Sequence, residues 1–176
     1  MSRQKQLKET MLTLPSVSLL GKRCWYVSIG SVDSTFQLAL GEKVRRAEPL
    51  LNRFHSTDYR IYEGETNLLV WCTWRLRQNQ RLVTSSVDLE DRAQRQLRKL
   101  VGCQVQEVHV TGVSWDLRIV FDDKRVLEVF CDRLAHRRSS GDDWELITKQ
   151  KAMYVGSGGK VTVMTRGPET GENPAE

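Results

Sequence analysis

The chain has 176 residues, 39% of them hydrophobic and 28% charged, which suits one body with a modest core and excludes two large independent domains. Net charge is +5, and because Arg166 to Glu176 carry one cation and three carboxylates, the remainder stands at +7 and is complementary to an acidic partner. No stretch approaches the roughly 20 apolar residues of a membrane span and the first 20 residues lack an unbroken apolar export core, so a cytoplasmic protein with no membrane partner is expected.

Met1 to Leu14 has the pattern of an amphipathic helix, with Leu7, Met11 and Leu14 on one face, and Pro15 is expected to end it. Strands follow over 22–29 and 35–40, joined by Gly30 to Ser34 as a hairpin turn. Pro49, Asn52, Ser56 and Gly64 punctuate the next segment, where a short helix over 47–54 is expected. A strand over 67–76 and another over 81–85 flank the turn residues Gln78-Asn79-Gln80. Trp71 and Trp74 cannot share a face of one regular strand, so one of them faces outward or a bulge intervenes.

The clearest helix covers 88–100. Leu89, Ala93, Leu97 and Leu100 form its apolar stripe, Asp88, Glu90 and Asp91 sit at the positive end of its dipole, and Gly102 follows as a stop signal. Strands are then expected over 104–110, 116–121, 125–131, 144–148, 152–155 and 160–164, with turns at Asp122-Asp123 and Gly156 to Gly159. Residues 166–176, with Gly167, Pro168, Gly171 and Pro174, read as a disordered tail.

Laid over itself, the chain matches without gaps from Leu20-Gly21 to Ile29 against Val101-Gly102 to Val110, an offset of 81, continuing through Phe36 to Leu40 over Leu117 to Phe121. Thr73-Trp74-Arg75-Leu76 resembles Asp143-Trp144-Glu145-Leu146 at an offset of 70, as if the second copy had lost eleven residues between its middle strands. The expected fold is therefore α+β, with two related β-rich halves over 1–86 and 87–165 forming antiparallel sheets, each half preceded by a helix.

Catalytic signatures are absent from this pattern. His55, His109 and His136 fall in three different contexts, none beside a recognisable Ser or Cys nucleophile. Asp122-Asp123 and Asp142-Asp143 are explained as turn residues; a metal nuclease built from Asp116, Asp122, Glu128 and Asp132 is the weaker account. Gly156-Ser157-Gly158-Gly159 lacks the Lys-Ser/Thr of a phosphate loop. The four cysteines, Cys24, Cys72, Cys103 and Cys131, form no close pair in sequence, so free thiols and no metal or cofactor are expected. Basic residues cluster twice, as Arg92, Arg95, Arg98 and Lys99 along the helix and as Arg133, His136, Arg137 and Arg138 in the loop after 125–131. Trp25, Tyr26, Trp71 and Trp74 fit either a core or a sheet face.

The motifs Leu100-Val101-Gly102, Trp115 to Asp123, Leu127 to Phe130 and Asp143-Trp144-Glu145-Leu146 resemble small uncharacterised bacterial proteins that repeat a Leu-x-Gly opening, a Phe-Asp-Asp strand end and a Trp-x-Leu strand. The resemblance covers about residues 67–163 and implies no activity. By elimination the expected function is non-catalytic: an accessory or immunity-type protein that binds a protein partner through a sheet face or the basic loop. A nucleic-acid-binding accessory protein using the basic helix and loop is the alternative, and an enzyme with an unrecognised site is the third reading.

Overall fold

The computed structural model describes residues 3–30, 35–111, 113–132 and 141–166. In chain order the elements are α1 (Arg3–Leu19), β1 (Cys24–Ile29), β2 (Phe36–Arg45), α2 (Thr57–Ile61), β3 (Tyr62–Val70), β4 (Thr73–Gln78) and β5 (Arg81–Ser85). They continue with α3 (Glu90–Leu97), a single 3₁₀ turn (Arg98–Leu100), β6 (Val105–Val110), β7 (Leu117–Phe121), β8 (Arg125–Phe130), β9 (Asp142–Thr148), β10 (Lys151–Gly156) and β11 (Lys160–Thr165).

The strands form two antiparallel sheets, one ordered β1-β2-β3-β9-β10-β11 and the other β5-β4-β8-β7-β6. Each sheet takes strands from both halves of the chain. Alternation along the strands turns Leu38, Leu40, Leu68, Val70, Trp144 and Leu146 of the first sheet, and Trp74, Leu76, Leu117, Ile119, Leu127 and Val129 of the second, into one shared apolar core. Phe36 meets Trp74 across it, edge to face, with ring centroids 5.1 Å apart. No described helix is long and apolar enough to cross a membrane.

The expected strand over 67–76 is two strands in different sheets. β3 pairs with β2 and β9, whereas β4 pairs with β5 and β8, and the chain crosses between the sheets at Trp71 and Cys72. That crossing settles the two tryptophans: Trp74 is wholly buried and Trp71 stands partly exposed on the outer face. Pro15 does not end α1, which runs on to Leu19. A proline deletes one intrahelical hydrogen bond, and the last turn is held instead by tertiary burial of Ser18 and Leu19 and by a bond from the Ser16 hydroxyl to the Val108 carbonyl at 3.2 Å. The expected helix over 47–54 is irregular chain; the helix lies later, at α2, where the Ser56 hydroxyl accepts from the Tyr59 amide at 3.3 Å as an N-cap. Leu89 caps α3 and is exposed, leaving Ala93, Leu97 and Leu100 to make the buried stripe.

The β1–β2 and β6–β7 ladders have the same register 81 residues apart. Cys24–Leu40 corresponds to Val105–Phe121 and Ile29–Phe36 to Val110–Leu117, and each ladder bulges at its second residue, Trp25 or Gln106. Around the Arg23–Gln104 bridge the backbone bonds are reciprocal: Gly21 N donates to Val105 O at 2.9 Å and Gly102 N to Cys24 O at 2.8 Å. Gly21 and Gly102 share a left-handed conformation, at φ 77° and 92°. Further along, Trp144 pairs with Val70 as Trp74 pairs with Val129.

The length difference between the halves is not one deletion of eleven residues. Ala39 and its partner Asn67 are 28 residues apart, whereas Val120 and Val126 are 6 apart. The first half therefore carries 22 more residues between its second and third strands. The second half carries eleven more after its third, since Val129 and Trp144 are 15 positions apart but Val70 and Trp74 are 4 apart. The 22-residue excess contains α2 and the loop before it.

Candidate functional site

On the outer face of the six-stranded sheet, β1, β2, the loop before α2 and the start of α3 enclose a groove of about 890 Å³. Its floor is set by the sheet. Past the Trp25 bulge, the residues that alternate with core Val27 and Phe36 face outward, which brings Tyr26, Ser28, Gln37 and Leu69 to one side.

The wall comes from the loop before α2, with Asn52, Phe54, His55 and Ser56, and α2 fixes that loop to the sheet. Tyr59, nearly buried, stacks on Tyr26 with centroids 3.9 Å apart and planes 8° from parallel. The Tyr26 hydroxyl lies 2.9 Å from His55 Nδ1, and the Gln37 amide donates to the Tyr59 hydroxyl. Arg46 lies over the Tyr59 ring, 5.0 Å from its centroid, and ion-pairs with Glu63 at 3.0 Å, while Lys43 stands 5.0 Å over the Trp25 ring. Leu50 N donates to Arg60 O and Arg60 Nε to Leu50 O, both at 2.9 Å, and Phe54 N donates to Asn52 Oδ1 at 3.0 Å. These bonds give the loop a defined shape even though it has no regular secondary structure. They hold Phe54 at 99% exposure and Leu51 at 91%, two large apolar side chains that the fold itself does not bury.

The phenols and the imidazole of the groove are neutral at pH 7, and its charged side chains, Glu90 and Arg98, come from α3 and the turn after it. Burial pushes the Tyr59 and Tyr26 phenols up from their ordinary value, and burial together with the nearby Arg46 charge pushes the His55 imidazole down. Ser28 hydrogen-bonds to Tyr26, but a phenol held above its usual range keeps its proton and cannot serve as a base toward that hydroxyl. The arrangement offers an aromatic surface with hydroxyl and imidazole edges, bordered by Glu90 and Arg98. A folded-state His55 below the unfolded value means that the unfolded chain binds more protons, so stability falls as pH drops through about 6.5 and lower. In a proton NMR titration His55 is expected to titrate below about 6.5, the value of a free imidazole, and Arg46→Ala should raise it; a His55 midpoint at or above the free value would contradict the geometry.

The opposite outer face is built differently. At the positions that correspond to Tyr26, Ser28 and Gln37, β6 and β7 carry Glu107, His109 and Arg118, and at that of Leu69 β8 carries Glu128. His109 pairs with Glu107 at 3.1 Å, and Arg75 with Glu128 at 2.5 Å. On this face the second and third strands are joined tightly, with only five residues between the paired positions Val120 and Val126.

Arg92, Arg95, Arg98 and Lys99 are all exposed on α3 and the turn after it. Arg98 lines the groove, and Arg92 lies 3.8 Å from Asp88. Arg133, His136, Arg137 and Arg138 lie outside the described residues, as do residues 167–176 of the expected tail. Three of the four carboxylates weighed for a metal nuclease have other partners: Asp116 accepts from Cys131 N at 2.8 Å, Asp122 from Gln104 N at 3.0 Å, and Glu128 pairs with Arg75, while Asp132 is exposed. Among the described residues Cys103, Asp122 and Asp123 come together, but the Arg125 guanidinium already neutralises Asp123 there. Tyr59, which anchors the wall of the groove, is the residue the sequence reasoning missed; its signal is Ser56 three residues earlier, a capping position rather than simple punctuation.

No family model, no curated protein and no solved structure matches this chain, so its site is read from its own geometry.

Proposed function

We propose that the chain is a non-catalytic protein-interaction protein, built from two copies of one helix-led β-rich unit that exchange their last strands, with the groove beside β1 as its docking surface. The equal ladder registers, the matching bulges and the reciprocal bonds about Arg23 and Gln104 support the duplication. Related copies with different outer faces place the specialised function where they differ. That is the face carrying the 22 additional residues, and the fully exposed Phe54 on them carries the proposal. A rigid loop that holds a phenylalanine in water beside an aromatic groove has the form of an interface anchor.

The partner is an acidic protein segment with an apolar side chain of its own. Exposed Arg98 at the edge of the groove, with Arg95 and Lys99 beside it, supplies charge complementarity, in keeping with the net charge of +5. A second reading, contact with nucleic acid, is supported by the common exposure of Arg92, Arg95, Arg98 and Lys99 along one helix.

One experiment separates the two. Wild-type protein and the Phe54→Ala and Arg98→Glu variants are used to capture partners at low and moderate salt, with and without nuclease, and the recovered protein is then titrated against each. The expected result is a nuclease-resistant protein that binds Phe54→Ala about 30-fold more weakly, the loss of an interface anchor worth about 2 kcal/mol. Binding unchanged by Phe54→Ala, or recovery of nucleic acid alone with a steep salt dependence, would replace this reading.

A further inference from the structure

The β4–β8 ladder pairs Thr73 with Phe130. The next residues outward are Cys72 and Cys131, which antiparallel register sets opposite each other where β4 begins and β8 ends. Residues opposed in this way have Cα atoms roughly 4.5–5.5 Å apart, inside the span that a disulfide bridges. The side chains agree with the backbone: the Cys131 thiol is close enough to push that of Cys72 up from its ordinary value, and it donates to the Trp115 carbonyl at 3.2 Å. Cys72 is buried and Cys131 partly exposed, so a small oxidant reaches Cys131 first.

The other two cysteines are also neighbours, since Cys24 N donates to Cys103 O at 2.9 Å. Each of their thiols has a hydrogen-bond partner of its own. Cys24 donates to Tyr26 O at 3.4 Å, and Cys103 to Lys99 O and Asp123 Oδ2 at 3.3 Å.

We propose that Cys72 and Cys131 are a redox-sensitive pair, which a peroxide converts to an intramolecular disulfide and a small thiol reverses. The Cys131 sulfur attacks one peroxide oxygen, the O–O bond breaks, and the first water leaves with formation of a sulfenic acid. The Cys72 sulfur then displaces that hydroxyl group, the S–S bond forms, and the second water carries off the remaining thiol proton. Two thiols lose two electrons and two protons, and one peroxide becomes two waters. The neighbouring Cys131, then burial and the Asp143 charge, disfavour the Cys72 thiolate, so closure is slow compared with a dedicated peroxide sensor. The bond would close a loop of about 60 residues at the point where the chain passes from one sheet to the other. The pairing follows from the β4–β8 register and stands whether or not the groove binds a protein.

The reduced full chain is treated with hydrogen peroxide and alkylated, and its disulfides are mapped by mass spectrometry without reduction. The expected result is a loss of about 2 Da, a single crosslinked peptide pair joining Cys72 to Cys131, restoration by dithiothreitol, and a thermal midpoint higher by on the order of 5–10 °C in the oxidised form. Cys24→Ser should leave the crosslink intact, and Cys131→Ser should abolish it. A crosslink involving Cys24 or Cys103, sulfinic acid at Cys131 with no crosslink, or an oxidised form with an unchanged or lower midpoint would overturn the proposal. Because the mapping is done on the wild-type chain, a misfolded variant cannot obscure it.

Discussion

Replacing Trp74 or Trp144 by alanine is expected to destabilise the protein by about 4 kcal/mol, the scale at which a buried tryptophan leaves a cavity that the fold cannot close. Both side chains are wholly buried, each on the first strand after its half changes sheets. Trp74 meets Phe36 of the facing sheet, and Trp144 donates its indole N–H to the Trp115 carbonyl at 2.9 Å. A small domain is stable by only about 5–15 kcal/mol, so either variant should lower the urea midpoint steeply without changing the slope. Trp144→Phe separates the two contributions. It keeps most of the ring and loses the hydrogen bond, and should cost about 2 kcal/mol. A loss under about 1.5 kcal/mol for both alanine variants would mean that the sheets do not pack through these residues.

The same two tryptophans mark what was legible in the sequence. Side-chain alternation and the shared bulge left a gapless match at 81 residues, because a bulge at the same place in each ladder keeps later positions aligned. The match of Trp74 with Trp144 holds in the ladders too, each facing a valine of the third strand of the other half. The exchange of strands between sheets was not legible. Leu68 to Leu76 is a nearly continuous apolar run, and nothing in it marks Trp71-Cys72 as the place where hydrogen bonding passes from one sheet to the other. The eleven-residue difference hid two opposing ones, which only register can separate.

The groove was legible in its parts and not as a site. Trp25, Tyr26 and Trp71 were candidates for either a core or a sheet face, and a sheet face says nothing of what covers it. Covering depends on where α2 docks, and that is decided by contacts far apart in the chain: Tyr59 on Tyr26, Gln37 on Tyr59, Arg46 on Glu63. Arg98 entered the basic stripe by helical spacing, whereas its place beside the groove follows from α3 lying against β1.

Gly64→Ala tests that docking from beneath. A Cβ at Gly64 would sit 2.7 Å from Thr66 O, 2.8 Å from Leu40 N and 3.1 Å from Ala39 Cα, all of them backbone atoms, so no side chain can swing aside to admit it. Close by, the β2–β3 register slips between Leu40 and Lys43, and Asn67 clasps Gly64, accepting from its N–H at 3.2 Å and donating to its carbonyl at 3.0 Å. One methyl group must therefore displace a strand, and the expected cost is about 3 kcal/mol, at the upper end for overpacking. Asn67→Ala should cost about 2 kcal/mol by leaving both Gly64 backbone groups unpaired in a buried place. The two changes act on one clasp, so their combined loss should fall short of the sum. Ala39 and Asn67 belong to the same cross-strand row as Tyr26, and a shifted β3 would also disturb the stacking of Tyr26 on Tyr59. Gly64→Ala is thus expected to raise the His55 NMR midpoint toward that of an ordinary imidazole, in addition to lowering stability. A stability loss with the His55 titration unchanged would mean that α2 and its loop hold the groove independently of the strand beneath them.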